Sequence, residues 1–233
     1  MDDPASRPLS RGEASTAVAA IGWRYLLGML VTSVPVASLD DGARLAADVV
    51  RATGPEADGH LRLDLRPDRV ELALQTLGPG RVTAGDAELA HRVTAVLAAS
   101  GRRTGGATAA ELARPVQALE IAIDALDIPA VLPFWRAVLA FEVGPDGESL
   151  EDPAGLLPAI WFQQMDAPRP QRNRIHLDVT VAHDEAEARV RAALDAGGVL
   201  VSDDRARAFW VLADVEGNEA CVCTWQDRDP PAK

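Results

Sequence analysis

Alternation of apolar and polar residues marks two neighbouring segments in the first half of the chain. Residues 60–66 read H-L-R-L-D-L-R, and residues 69–76 read R-V-E-L-A-L-Q-T. A period of two is typical of β-strands with one buried face. Because Pro67-Asp68 between them favours a tight turn, the two segments predict a β-hairpin.

Apolar residues at helical spacing surround this hairpin. They predict helices over residues 12–21, 39–52 and 84–100, each with a Ser or Thr before it that can cap the first turn. Residues 23–36, rich in Leu, Val and Thr, predict a strand region. The order of helix, strand region, helix, hairpin and helix predicts an antiparallel sheet with helices on one face.

The second half of the chain repeats one pattern. A strand, a helix, a further strand, a turn-rich stretch and a last strand are followed by a strand, a helix and three strands. Two tandem βαβββ units are therefore predicted to form one domain. The predicted strands cover residues 119–124, 141–143, 157–165, 174–181, 199–202, 208–213 and 219–225, and the predicted helices cover residues 128–140 and 184–196.

Glycines and small polar residues at 101–108 interrupt the periodicity and predict an inter-domain linker. A short amphipathic piece at residues 109–113 follows. The 233 residues of the chain suffice for two domains of about 100 residues each. We therefore predict an α+β protein with an N-terminal domain over residues 1–100, a linker over residues 101–117 and a C-terminal domain over residues 118–227.

The charge of the chain limits its partners. Its formal net charge is −12 at pH 7, whereas a protein that binds nucleic acid needs clustered basic residues. We therefore expect neither nucleic acid nor an anionic membrane as a partner. No apolar run approaches the ~20 residues that span a bilayer, and the acidic N-terminus lacks the layout of a secretory signal. The expected location is the cytoplasm.

The two cysteines of the chain are Cys221 and Cys223. Two residues apart on a predicted strand, they point to the same face, and such neighbours rarely form a disulfide. No second Cys or His pair has the spacing of a four-ligand zinc site. We interpret both as buried, reduced thiols.

Several short motifs of the C-terminal half match one known family. They are Asp127 with Phe134-Trp135, residues 175–179 (I-H-L-D-V), Gly197-Gly198 and residues 214–219 (D-V-E-G-N-E). With these motifs, residues 119–225 resemble the vicinal oxygen chelate superfamily in its glyoxalase-like branch. The resemblance implies a glyoxalase/bleomycin-resistance-like cupped sheet that holds one divalent metal ion (Ni, Zn, Mn or Fe) and a small-molecule ligand. It also implies metal-assisted lyase, isomerase or dioxygenase chemistry, since a metal with open positions can chelate two substrate oxygens.

The family's four metal-ligand positions fall on residues of unequal suitability. The first-strand position is Glu120 and the fifth-strand position is His176, and both side chains can ligate a metal. The position late in the first unit falls at Gln163. The last-strand position is Cys221 instead of the usual Glu, and Glu219, two residues earlier on the same face, is its alternative. The resemblance therefore implies a metal site drawn from these five residues.

The same residues also have purely structural interpretations. His176 can be a hydrogen-bonded core histidine, and Glu120 a solvated strand end. Trp135, Trp161 and Trp210 are candidates to line a cup that stacks on a flat ligand, although tryptophan more often belongs to a core. Since metal-free binding proteins also occur in the family, a drug-sequestering protein is the alternative to a metal-assisted enzyme.

The N-terminal half carries a second resemblance. Trp23, the hairpin of residues 60–76, Thr83 and residues 86–90 (D-A-E-L-A) carry it. On these features, residues 9–99 resemble pterin-4a-carbinolamine dehydratase. The resemblance implies acid–base catalysis by three histidines.

One of these three histidines is present. His60 takes the second position of an adjacent pair, whereas the first position falls on Gly59 and the third on Leu77. Because Leu has no proton to transfer, we interpret this domain as one that keeps the fold and has lost the lyase activity. The alternative is 4a-hydroxytetrahydrobiopterin dehydratase activity with His60 as a catalytic residue. Since the family's fold also serves in assembly, a homodimer is a further hypothesis.

Overall fold

The computed structural model describes residues 4–77, 81–105, 118–168 and 175–227. The chain divides into two compact units, Met1–Ala118 and Leu119–Lys233. The amphipathic piece predicted at residues 109–113 and most of the predicted linker lie outside the described residues. Within those residues, no helix is both long and apolar enough to cross a membrane.

The N-terminal unit contains three α-helices and four strands among its described residues. They are α1 (Arg11–Ala19), β1 (Arg24–Leu26), β2 (Met29–Pro35), α2 (Leu39–Thr53), β3 (Leu61–Leu65), β4 (Arg69–Leu74) and α3 (Ala84–Ala99), with short 3-10 helices at Pro4–Ser6 and Gly54–Ala57. The strands form one antiparallel sheet in the order β1-β2-β4-β3. This confirms the predicted antiparallel sheet.

Capping side chains fix where the helices begin. Ser10 Oγ accepts the backbone N–H of Glu13, and the Glu13 carboxylate accepts the backbone N–H of Ser10. Thr83 and Asp86 form the same capping box at the start of α3. These bonds satisfy N–H groups that a helix cannot pair internally.

The predicted hairpin is present as β3 and β4. Val70, Leu72 and Leu74 of β4 are 0%, 1% and 0% exposed, as their alternation predicts. The predicted strand region over residues 23–36 differs, because it is divided into β1 and β2. Leu27-Gly28 forms the turn between them, and both residues have a positive φ (43° and 80°), as a two-residue hairpin turn requires.

The C-terminal unit contains two helices and eight strands among its described residues. They are β5 (Glu120–Ala125), α4 (Ile128–Leu139), β6 (Glu142–Val143), β7 (Leu150–Glu151), β8 (Ala159–Gln164), β9 (Leu177–Thr180), α5 (Ala186–Asp195), β10 (Val199–Ser202), β11 (Phe209–Ala213) and β12 (Glu219–Cys223). The two sheets have the orders β5-β8-β7-β6 and β9-β12-β11-β10. In each, the first and fourth strands of one βαβββ unit are parallel neighbours. The predicted tandem repeat is thereby confirmed.

Two strands of the C-terminal unit differ from the prediction by more than one or two residues at an end. The strand β7 lies in the stretch predicted as turns, where two residues are too few to show a periodicity. The strand β9 begins at Leu177, so that His176 stands immediately before it rather than inside it.

The repeat extends to the loop before the last strand of each unit. Asp152 accepts the backbone N–H groups of the residues two and four positions later, at 3.0 and 2.9 Å. Asp214 does the same in the second unit, at 2.9 Å for both bonds. A D-x-x-G turn therefore introduces the last strand of each unit, because one carboxylate can hold successive N–H groups.

The second of these turns also ties the two βαβββ units together. Asp214 is 2% exposed, and its carboxylate accepts the indole N–H of Trp135 at 2.9 Å. The Glu216 carboxylate accepts the backbone N–H groups of Leu126 and Asp127, at the end of β5 and the start of α4. The D-x-E-G-N motif is thus a structural clamp between the units.

Gly197 and Gly198 end α5, as the sequence predicts. Gly197 has a φ of 93°, and the N–H groups of Gly197 and Gly198 bond to the carbonyls of Leu194 and Ala193 at 3.0 Å each. This is a Schellman ending. A Cβ on Gly198 would lie 2.4 Å from Phe134 Cδ2, so the second glycine permits close packing on α4.

Candidate functional site

In the C-terminal unit, one face of the sheet β5-β8-β7-β6 packs on the helices, and the opposite face of this sheet is open. On β8, Ile160 and Phe162 are buried in the core that contains the inward residues of α4. Since strand side chains alternate, Trp161 and Gln163 lie on the opposite face. Trp161 is 39% exposed there.

Trp135 and Trp210 lie on the helix side of the sheets. Trp135 is 2% exposed, packs edge-to-face on Phe134 with ring centroids 5.4 Å apart, and bonds to Asp214. Trp210 packs against the same core. The predicted role of these two rings in lining the cup is therefore corrected: the inward stripe of α4 and the alternation of β11 direct them into the core. Of the three candidate tryptophans, Trp161 is the one on the open face.

Three potential metal ligands meet where β9 lies beside β12. Cys221 is the register partner of Asp178 in the parallel pair, and His176 precedes Asp178 by two residues. His176 Nδ1 lies 2.9 Å from Asp178 Oδ1 and 3.7 Å from Cys221 Sγ. One ligand atom from each residue lies within 4.8 Å of the other two. The side chains of His176 and Asp178 are 49% and 59% exposed, whereas Cys221 is buried.

The Cys221 thiol keeps its proton at neutral pH in this arrangement. Burial first, and the charge of Asp178 second, raise the pKa of Cys221 to about 12. A cysteine nucleophile requires a lowered pKa. Moreover, Asp178 and Cys221 meet the same ring nitrogen of His176, whereas a catalytic triad uses both nitrogens. The geometry therefore disfavours a nucleophilic cysteine and leaves convergent N, O and S donors.

The other predicted ligands stand apart from this group. Among the described residues, the group of three does not include Glu120 or Glu219. Gln163 Nε2 donates to the carbonyl of Gln164 at 3.3 Å. Of the predicted ligands that are Glu, His or Cys, the structure thus brings together two, His176 and Cys221.

Asp178 completes the group and is absent from the ligand set that the sequence predicts. The spacing between strand and helix in the tandem repeat could have identified it. Glu120 lies seven residues before Asp127, the N-cap of α4, and Asp178 lies seven residues before Glu185, the N-cap of α5. Asp178 is therefore the counterpart of Glu120 in the second βαβββ unit.

In the N-terminal unit, His60 has a buried carboxylate partner. His60 Nδ1 lies 2.7 Å from Asp86 Oδ1, and Asp86 is 0% exposed. The other oxygen of Asp86 accepts the hydroxyl of Thr76 at 2.9 Å and the N–H of Thr83 at 2.7 Å. These bonds fix the carboxylate and, through it, the ring of His60, whose Nε2 has no hydrogen-bond partner among the described residues.

Comparison with protein families gives one match, which covers the C-terminal unit. Residues 120–223 match the glyoxalase-like domain. This match agrees with the two sheets of the tandem repeat. Comparison with curated proteins gives no match.

Several solved structures are similar to parts of the chain. A glyoxalase/bleomycin resistance protein/dioxygenase family enzyme from Burkholderia phytofirmans PsJN is 17% identical, with 45% of this chain and 95% of that chain covered and a TM-score of 0.35. The fosfomycin resistance protein FosX from Listeria monocytogenes is 13% identical, with 48% and 92% covered and a TM-score of 0.38. A transcriptional coactivator/pterin dehydratase from Brucella melitensis is 20% identical, with 39% and 98% covered and a TM-score of 0.35.

Proposed function

We propose that the C-terminal unit binds a small molecule on the open face of its sheets, beside one divalent metal ion held by His176, Asp178 and Cys221. The convergence of one ligand atom from each of these residues within 4.8 Å carries the proposal. The match of residues 120–223 to the glyoxalase-like domain supports it.

The donor set fits such an ion. A thiolate beside an imidazole and a carboxylate suits Zn²⁺, Ni²⁺ or Fe²⁺ better than the harder Mn²⁺. Structural zinc sites are closed by four protein ligands, whereas catalytic sites use three and keep one position open. Three protein donors, two of them about half exposed, correspond to the open kind.

The donor set also favours one reaction class among those that the family implies. When bound, the metal supplies a Lewis acid that polarises a substrate oxygen. Iron dioxygenases commonly use two histidines and one carboxylate, a set that His176, Asp178 and Cys221 do not form. We therefore favour a lyase or isomerase over a dioxygenase. In this scheme Cys221 would hold the metal as a thiolate beside His176 and Asp178, the bond to Asp178 Oδ1 would orient the His176 ring, and Trp161 would offer an apolar surface.

Thermal melting after removal of metal tests the proposal. Adding Zn²⁺ or Ni²⁺ at 100 times its dissociation constant is expected to stabilise the protein by about 2.7 kcal/mol. The rise in melting temperature should be absent in His176→Ala and retained in His183→Ala, since His183 is an exposed histidine of the same unit that contacts Trp225. Absence of a rise with any divalent metal would contradict the metal site and leave a metal-free, drug-sequestering protein.

A second candidate function, in the N-terminal unit, is favoured by the bond between His60 and Asp86. A histidine held by a buried carboxylate is equipped for proton transfer, which commonly contributes 10²–10⁴-fold to a rate, as an order of magnitude. If the unit retains pterin carbinolamine dehydratase activity, His60→Ala should lower turnover by about that factor in a quinonoid pterin assay. His91→Ala is the control, because His91 bonds to the carbonyl of Ala17. No turnover by the unmodified protein would remove this candidate.

A further inference from the structure

The strands of the C-terminal unit carry acidic but not basic side chains. Its eight described strands contain no Lys or Arg. The charged residues of these strands are Glu120, Asp124, Glu142, Glu151, Asp178 and Glu219. The three arginines of α4 and α5 (Arg136, Arg189 and Arg191) belong instead to the helical layer, on the other side of the sheets. The charged side chains of these strands are therefore all acidic, and a surface of one sign concentrates ions of the opposite sign.

Within this acidic surface, Trp161 and Glu120 share the open face of the first sheet. Ala159 is the register partner of Glu120, and Trp161 follows Ala159 by two residues, on the same face. Neighbouring strands lie about 4.8 Å apart and residues two positions along a strand about 6.6 Å apart, so the two Cα atoms are separated by about 8 Å, within reach of long side chains. The register partner of Trp161 is Ala122, whose side chain is a single methyl group.

Both side chains are available to a ligand. Trp161 is 39% exposed and Glu120 is also exposed. Neither side chain has a hydrogen bond or an ion pair with any described residue. A large exposed ring beside an unneutralised carboxylate is an arrangement that attracts cations, because the negative face of an indole ring binds positive charge.

From these features we infer that the ligand of the open face is a flat organic cation, which stacks on Trp161 and places its positive charge beside Glu120. The inference rests on the proposed function, in that it takes this face as the small-molecule site. It adds a ligand class: an anion would be repelled by the strand carboxylates, and a neutral ring would gain only the stacking contact.

Three flat probes that differ in charge test the inference. They are the cation N-methylquinolinium, its neutral counterpart 1-methylnaphthalene and the anion 1-naphthoate. By ligand-observed NMR, the cation is expected to bind about tenfold more tightly than the neutral probe, from the strength of a partly desolvated cation–π contact. The anion should bind least, and added salt should weaken the cation alone.

Variants of the full chain locate the contact. Trp161→Leu and Glu120→Gln should each weaken cation binding about fivefold or more, in keeping with the loss of one such contact. Trp225→Leu is the matched control, because Trp225 is a 64% exposed tryptophan of the same unit. Equal affinity in Trp161→Leu and the unmodified protein would overturn the inference, as would the absence of cation binding.

The failure of this inference is distinguishable from failure of the proposed function. If the neutral or anionic probe binds more tightly than the cation and this binding is lost in Trp161→Leu, the inference of a cationic ligand is overturned. The open face then remains the small-molecule site. The metal-dependent melting shift uses His176 and needs none of the three probes, so its loss would count against the metal site alone.

Discussion

Replacing Asp214 by Ala is expected to lower the free energy of unfolding of the C-terminal unit by about 3 kcal/mol. The carboxylate is 2% exposed and accepts four hydrogen bonds: from the Trp135 indole, from the backbone N–H groups of Glu216 and Asn218, and from the Asn218 side chain. Without it, the buried Trp135 N–H loses its acceptor, and the turn that carries Glu216 to α4 loses its anchor. Urea unfolding followed by circular dichroism measures the loss.

An exposed aspartate of the same unit provides the control for this substitution. Asp195 is the last residue of α5 and is exposed. Because a surface substitution away from special features commonly changes stability by less than about 0.5 kcal/mol, Asp195→Ala should unfold close to the unmodified protein. A loss below about 1 kcal/mol in Asp214→Ala would contradict the clamp between the two βαβββ units.

The second large effect is expected for Gly198→Ala, at about 2–3 kcal/mol of destabilisation. The new Cβ would lie 2.4 and 2.6 Å from ring atoms of Phe134, and 2.8 Å from the carbonyl of Ala193. Phe134 is 1% exposed, so the ring cannot move into solvent, and α5 must shift away from α4. The same urea experiment measures this loss.

Gly197→Ala separates this steric effect from backbone strain. Gly197 has a φ of 93°, but the nearest atom to an added Cβ is Val215 Cγ1 at 4.0 Å. The cost is therefore that of a positive φ in an L-residue, about 1–2 kcal/mol. A smaller loss in Gly198→Ala than in Gly197→Ala would show that the contact with Phe134 relaxes, contrary to expectation.

Much of the fold is predictable from the sequence because it depends on local periodicity. The alternation in β4 identifies its buried face, and the repeated order of elements identifies the tandem βαβββ units. The division between β1 and β2 was less accessible, since Leu27 takes a positive φ that its side chain does not favour. The strand β7 has only two residues, which are too few to show a periodicity. Its pairing with β6 and β8 depends on tertiary context.

The candidate site shows where such reasoning ends. The resemblance to known ligand positions identifies His176 and Cys221 as ligands. The structure places His176 Nδ1 3.7 Å from Cys221 Sγ. To identify Asp178 as a ligand, one needs either the register of β9 against β12 or the seven-residue spacing to the helix N-cap that the repeat provides. The prediction that Trp135 lines the cup is wrong because α4 directs this side chain into the core, where the Asp214 carboxylate accepts its indole N–H.

The most direct measurement of the central claim is the absorption spectrum of the metal-stripped protein during titration with Co²⁺. Because cobalt replaces zinc and nickel in sites with sulfur ligands, ligation by Cys221 should produce a thiolate-to-cobalt charge-transfer band in the near ultraviolet. The band should saturate at one equivalent, disappear in Cys221→Ser, and persist in Cys223→Ser, the neighbouring buried thiol on the same strand. A spectrum without the band, or one that keeps it in Cys221→Ser, would contradict a metal site at His176, Asp178 and Cys221.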